Sequence, residues 1–130
     1  MGSSANLTPF IECKYDKDMI GLLSVNPFLF FIFADVSLWC YKRNLPVVVT
    51  STVRDKIKGV SVSTTHEESR AIDMSVRGYD LNDIDELVLY VNTKFAEEYG
   101  AFSYSDGKPR VAVYHSGTDW HIHFQCRRNL

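Results

Sequence analysis

Arg110-Val111-Ala112-Val113-Tyr114-His115-Ser116-Gly117-Thr118-Asp119-Trp120-His121-Ile122-His123-Phe124-Gln125-Cys126 is built of two alternating runs around a Ser-Gly-Thr-Asp tetrad, the pattern of a β-hairpin. Side chains alternate along a strand, so the second run places His121, His123 and Gln125 on one face and Trp120, Ile122, Phe124 and Cys126 on the other. One face is apolar and the opposite face carries imidazoles. An apolar sheet face needs a covering layer, which the rest of the chain must supply.

Working outward, Ala71-Ile72-Asp73-Met74-Ser75-Val76 alternates in the same way and predicts a strand. Val47-Val48-Val49-Thr50-Ser51-Thr52 is a β-branched run too short for a helix and reads as a buried strand. From Asp80 to Tyr99, Leu81, Ile84, Leu87, Val88, Val91 and Phe95 recur at helical spacing, with Gly100 as the expected C-cap. Two further helices are predicted over Asp18 to Ser24 and Pro27 to Tyr41, with Asn26 as cap and Pro27 in the first turn; Arg43-Asn44-Leu45-Pro46 closes this half. Val60 to Thr65 is polar and reads as a loop. Helices first, then a small antiparallel sheet with one long intervening helix, give an α+β class. With no repeat or linker, residues 1–130 form a single expected domain.

Composition narrows the function. Lys and Arg number 14 against 16 Asp and Glu, with no dense run of either sign, so neither nucleic acid nor anionic lipid is an expected partner. The apolar stretch from Asn26 to Cys40 is interrupted by Asp35 and falls short of the roughly 20 residues a spanning helix needs, so it reads as a core helix without stable membrane association. The N-terminus shows no signal-peptide pattern. Cys13, Cys40 and Cys126 are widely spaced and odd in number, which fits free, buried thiols in a reduced compartment.

The four histidines fall in two places, His66 alone and then His115, His121 and His123. Two histidines at i and i+2 in a strand are ordinarily half-exposed surface residues. Asp73, between Ile72 and Met74, is less ordinary, because an unpaired buried carboxylate costs several kcal/mol. It requires a hydrogen bond, a cation such as Arg54, Arg70 or Arg77, or a metal ion.

His66-x-x-Ser69-x-Ala71-x-Asp73 resembles the His-x-x-Gly-x-Ala-x-Asp element of the M15 peptidases. These are zinc D-Ala-D-Ala carboxypeptidases, VanX-type dipeptidases and phage L-alanyl-D-glutamate endopeptidases, and hedgehog signalling domains share their fold. Ser51-Thr52-Val53-Arg54 is similar to the family's Ser-x-x-Arg after a strand, and Trp120-His121-Ile122-His123 to its last-strand His-x-His. The matches run in order between residues 47 and 126, with Ser69 in place of the glycine and Thr64 in place of a serine two positions before His66.

The resemblance implies a hedgehog/DD-peptidase-like domain that holds Zn2+ through His66, Asp73 and His123 and leaves a fourth position open. It implies a general base shortly before the last ligand. Asp119 stands four before His123, with Trp120 at the usual place, and His115 and His121 are the rival bases. Asp119 is otherwise a turn residue, a role Asp fills readily. His121 is implied beside the metal, to stabilise an oxyanion or protonate the leaving amine, and Arg54 on the substrate carbonyl or carboxylate. Ser61 and His115 complete the expected substrate-binding set, in a cleft rimmed by the 61–69 loop and by Tyr79 or Tyr114.

The implied activity is that of a metallopeptidase cleaving amide bonds in peptidoglycan stem peptides, at D-Ala-D-Ala or at L-Ala-D-Glu. Cell wall degradation of this kind resembles the work of a phage endolysin kept in the host cytoplasm until a holin releases it, or carried by the virion. The alternative is a non-catalytic zinc-binding module of the same fold.

Overall fold

The structure, a computed structural model, describes residues 11–52, 70–103, 106–115, 120–128 and 130, together with the backbone of 5–8. In chain order it contains β1 (Ala5–Thr8), β2 (Ile11–Cys13), α1 (Asp16–Ser24), α2 (Pro27–Tyr41), β3 (Val48–Ser51) and β4 (Ala71–Ser75). There follow α3 (Leu81–Val91), a π-helical turn (Asn92–Ala96), α4 (Glu97–Tyr99), β5 (Ala101–Phe102), β6 (Pro109–Arg110), β7 (Ala112–His115) and β8 (His121–Gln125). The class is α+β, as the hydrophobic patterning requires.

Each long helix begins where its sequence offers backbone partners. The Asn26 side chain accepts from the Phe28 amide at 2.9 Å and Pro27 opens α2, so the first turn loses no donor that it needs. Asp80 and Asp83 bond reciprocally to each other's amides at 2.8 and 3.1 Å at the start of α3, a capping box.

The main sheet has the order β1-β2-β3-β4-β8-β7. Two expectations change here. The chain begins with a hairpin of β1 and β2 rather than with helices, and the sheet is mixed, because β2 pairs parallel with β3. Parallel neighbours need a long crossover, and α1 with α2 is that crossover. A three-residue strand such as Ile11-Glu12-Cys13 is too short for its alternation to stand out in the sequence. The β3-β4-β8-β7 portion is antiparallel throughout.

Ile72 and Met74 of β4 and Ile122 and Phe124 of β8 are fully buried on the side where α2 packs, with Phe33 edge-on to Phe124 at 5.5 Å between ring centroids. Inward residues Leu29, Ile32, Phe33, Val36 and Cys40 of α2 join this core, whereas Phe31 on the opposite side is 73% exposed. Cys13, Cys40 and Cys126 are free and buried, as expected, and burial pushes each thiol up to about 11.

Gly100 is not a left-handed cap. Its φ is −71° and its ψ 145°, and a Cβ there would meet the Ala96 carbonyl oxygen at 2.6 Å and the Arg110 nitrogen at 2.8 Å. Glycine is needed at this position for the close approach of α4 to β6.

Candidate functional site

The site follows from register. In the β4–β8 ladder Asp73 lies opposite His123 and Ser75 opposite His121, and in the β7–β8 ladder His115 lies opposite His121. Because the pleat alternates, these residues share the face turned away from Ile72, Met74, Ile122 and Phe124. Residues opposite each other in neighbouring strands have Cβ atoms about 5 Å apart, so four chemistry-bearing side chains converge with no loop needed to bring them together.

Asp73 and His123 are only 5% and 8% exposed. The Asp73 Oδ1 atom is 2.8 Å from His123 Nδ1 and 3.8 Å from His121 Nε2. The His115 ring lies 5.1 Å from that of His121 and 5.7 Å from that of His123. On its other side His123 meets Gln125, with Nε2 and Oε1 3.1 Å apart, and the Gln125 amide donates to the Arg110 carbonyl at 3.2 Å.

Burial, then the neighbouring His123 and His121 rings, hold the His115 pKa below the ordinary imidazole value, against a smaller opposing pull from Asp73. His115 is therefore neutral at neutral pH. A neutral imidazole can accept a proton or donate a lone pair, whereas an imidazolium can do neither.

Of the residues singled out in the sequence, Asp73, His115, His121 and His123 are thus brought together. His66, Arg54, Ser61 and Asp119 lie outside the described residues, as does the loop expected at 60–65. Among the described residues, no three His, Cys, Asp or Glu side chains are grouped so as to hold a metal ion; Asp73 and His123 supply two donors, and the third expected ligand is His66. Of the cations considered for Asp73, Arg70 directs Nη1 to the Cys126 carbonyl at 2.6 Å.

Three placements differ from expectation. Tyr79 is not at the rim: its hydroxyl donates to the Pro46 carbonyl at 2.6 Å and touches Cys40 Sγ at 3.2 Å, on the helix-covered side. Tyr114, opposite Ile122, also follows the apolar face of the pleat. Trp120 precedes β8, is 54% exposed and stands edge-on to Tyr114 at 6.2 Å, so it does not join Ile122 and Phe124 in the core.

Two residues that matter to the site had no role in the sequence reading. Gln125 was visible on the imidazole face, but its bond to His123 depends on rotamers. Asn92 accepts from the Val111 and Ala112 amides at 2.8 and 2.9 Å and donates to the Ala112 carbonyl at 2.8 Å. It holds the start of β7 and hence the strand that carries His115; its only sequence signal is an amide on the apolar side of a helix.

Comparison of the chain with family models, with curated proteins and with solved structures gives no match.

Proposed function

We propose that the chain is a zinc-dependent peptidase that hydrolyses amide bonds in peptidoglycan stem peptides. The observation that carries this reading is the buried contact between Asp73 Oδ1 and His123 Nδ1, with His121 beside it. A carboxylate and an imidazole from adjacent strands, in direct contact and flanked by further imidazoles, are donor types suited to zinc. The motif resemblance supplies His66 as the third ligand and Arg54 and Asp119 as substrate and proton-handling groups. The antiparallel β3-β4-β8-β7 arrangement is compatible with a hedgehog/DD-peptidase-like fold.

When bound, zinc supplies Lewis acidity and acidifies water to a pKa of about 7. The chain's own residues divide the remaining work. Asp73 and His123 hold and orient. His121, two residues before His123 on the same face of β8 and less buried, has its Nε2 3.8 Å from Asp73 Oδ1 and suits stabilisation of developing negative charge or protonation of the leaving amine. His115, its pKa held below the ordinary imidazole value by its surroundings, is a proton acceptor on the same sheet face. Extended stem peptides with carboxylates suit such a sheet face, and the proposed setting is that of a phage-type endolysin, released with holin assistance or carried by the virion.

The second reading, a zinc-binding module without turnover, is favoured by Trp120 at the position where the family's acid is usual. Elemental analysis of wild type, Asp73→Asn and His66→Ala, with release of amino groups from purified peptidoglycan, separates the two. Near-stoichiometric zinc lost in both variants, with wild-type amine release, is the expected outcome. Zinc without release selects the binding module, and a wild type that takes up no zinc overturns both.

A further inference from the structure

The ladders on either side of β8 fix which way the backbone groups of β7 point. The Cys126 amide donates to the Arg70 carbonyl at 3.1 Å, toward β4, and the Gln125 amide to the Val111 carbonyl at 2.8 Å, toward β7. Backbone groups alternate in direction along an antiparallel strand, so His121 and His123 also turn theirs toward β7. Their partners there are His115 and Val113. By the same alternation Ala112 and Tyr114 turn N–H and C=O away from β8, and because β7 is the last strand of the sheet they face its outer edge.

The fold fills the first of these two stations itself. The Asn92 side chain accepts from the Ala112 amide at 2.9 Å and donates to the Ala112 carbonyl at 2.8 Å, the two bonds that a residue of a neighbouring antiparallel strand would make. A carboxamide thus sits on this edge as a one-residue stand-in for a peptide. The second station, the N–H and C=O of Tyr114, has no neighbouring strand among the described residues. Sheet edges are ordinarily blunted by charge, proline, a bulge or a covering element. Here the covering group stops at Ala112, and the open part adjoins His115 of the imidazole face.

We infer that the outer edge of β7 at Tyr114 is the subsite that holds the main chain of an extended peptide substrate, by strand addition. The identity of that peptide as a peptidoglycan stem rests on the peptidase reading, which the subsite deepens. Main-chain pairing at one station suits such a substrate: it asks a single residue for an extended N–H and C=O and leaves the alternation of L and D residues on either side unread. Neighbouring strands lie about 4.8 Å apart, so a peptide on this edge runs about 10 Å from β8, the strand that carries His123. About three extended residues span that distance. The residue paired with Tyr114 is therefore remote from the bond to be cut, and its contribution is to affinity for the peptide.

The test uses the whole chain and a synthetic stem pentapeptide, L-Ala-D-Glu-L-Lys-D-Ala-D-Ala, with chelator present to prevent turnover. Amide hydrogen exchange of wild type, read by NMR, should slow at Tyr114 by about tenfold or more at saturating peptide, while Ala112, already bonded by Asn92, stays as it was. Two variants isolate the backbone donor. Tyr114→Val and Tyr114→Pro both lose the ring, and only the proline lacks the outward N–H, at an edge position where proline is tolerated. The pentapeptide should bind folded Tyr114→Pro about 3–10-fold more weakly than Tyr114→Val. Absence of binding, equal affinity in the two variants, or binding that leaves Tyr114 exchange unchanged overturns the subsite even where peptidoglycan is cleaved. Protection of Tyr114 that grows with protein concentration and needs no peptide gives the edge to a second copy of the chain and overturns it too. Peptide-dependent protection of Tyr114 in a protein that takes up no zinc and releases no amines upholds the subsite and overturns the peptidase reading.

Discussion

His115 illustrates how a single side chain is governed by its neighbours. Burial and two adjacent imidazoles lower its pKa in the folded state, whereas in the unfolded chain it returns to about 6.5. Between the lowered folded value and 6.5 the unfolded chain binds more protons than the folded one, so stability falls as pH drops through that window. His115→Asn should therefore lose less stability than wild type when urea unfolding is repeated at about pH 5 after pH 7.5, because the variant has no proton to take up on unfolding. Parallel losses in the two proteins would show that His115 titrates alike in both states. The thiols make the converse case: Cys13, Cys40 and Cys126, with pKa values pushed up to about 11 by burial, should resist a chromogenic disulfide reagent at about pH 8 until denaturant is added. Rapid labelling of the native protein would contradict that burial.

Elements behave according to which of their faces is covered. Helix α2 is largely apolar apart from Asp35 and Ser37, yet Phe33 is 1% exposed and Phe31 is 73% exposed. Phe33→Ala should cost about 3–5 kcal/mol, because it leaves a cavity against Phe124. Phe31→Ala should change stability by less than about 0.5 kcal/mol. Comparable losses at the two positions in chemical denaturation would mean that the outer side is also packed in solution. The π-helical turn makes a different kind of contribution. It begins at Asn92, whose amide satisfies the Val111 and Ala112 amides together with one carbonyl. Asn92→Leu strands those groups and should cost about 2–4 kcal/mol, since each unsatisfied buried partner costs about 1–3 kcal/mol. Amide exchange should accelerate first at Val111 and Ala112, and a uniform acceleration would argue against a local role.

For the molecule as a whole, the proposed ligands come from β4, from β8 and from His66 before β4 in the sequence, so zinc held by them would couple its binding to folding. A ligand at 100 times its dissociation constant adds about 2.7 kcal/mol to stability. Zinc should raise the thermal midpoint of wild type by several degrees, chelator should reverse the rise, and Asp73→Asn should show neither effect. A midpoint indifferent to zinc and chelator would remove the metal from the account. The described helices include none long and apolar enough to cross a membrane, which agrees with the reading of the Asn26–Cys40 stretch as part of a core.

What could be read locally was read because periodicity records which side of an element is buried. The spans of α2, β4 and β8, the cap Asn26, and the division of β8 into an apolar face and an imidazole face all lie within a few residues of chain. So did the importance of Asp73, since a carboxylate between Ile72 and Met74 has no cheap place in a core. The fold class follows from these by themselves. Neighbourhood did not, because strand pairing is decided by contacts between distant residues. That β8 inserts between β4 and β7, that β2 joins β3 in parallel through the helical crossover, and that Gly100 is there for space beside Arg110 depend on how the layers close. A shift of one residue in the β4–β8 register would turn Asp73 and His123 to opposite faces. The sequence therefore named Asp73 and His123, and the tertiary packing alone set them opposite each other, 2.8 Å apart.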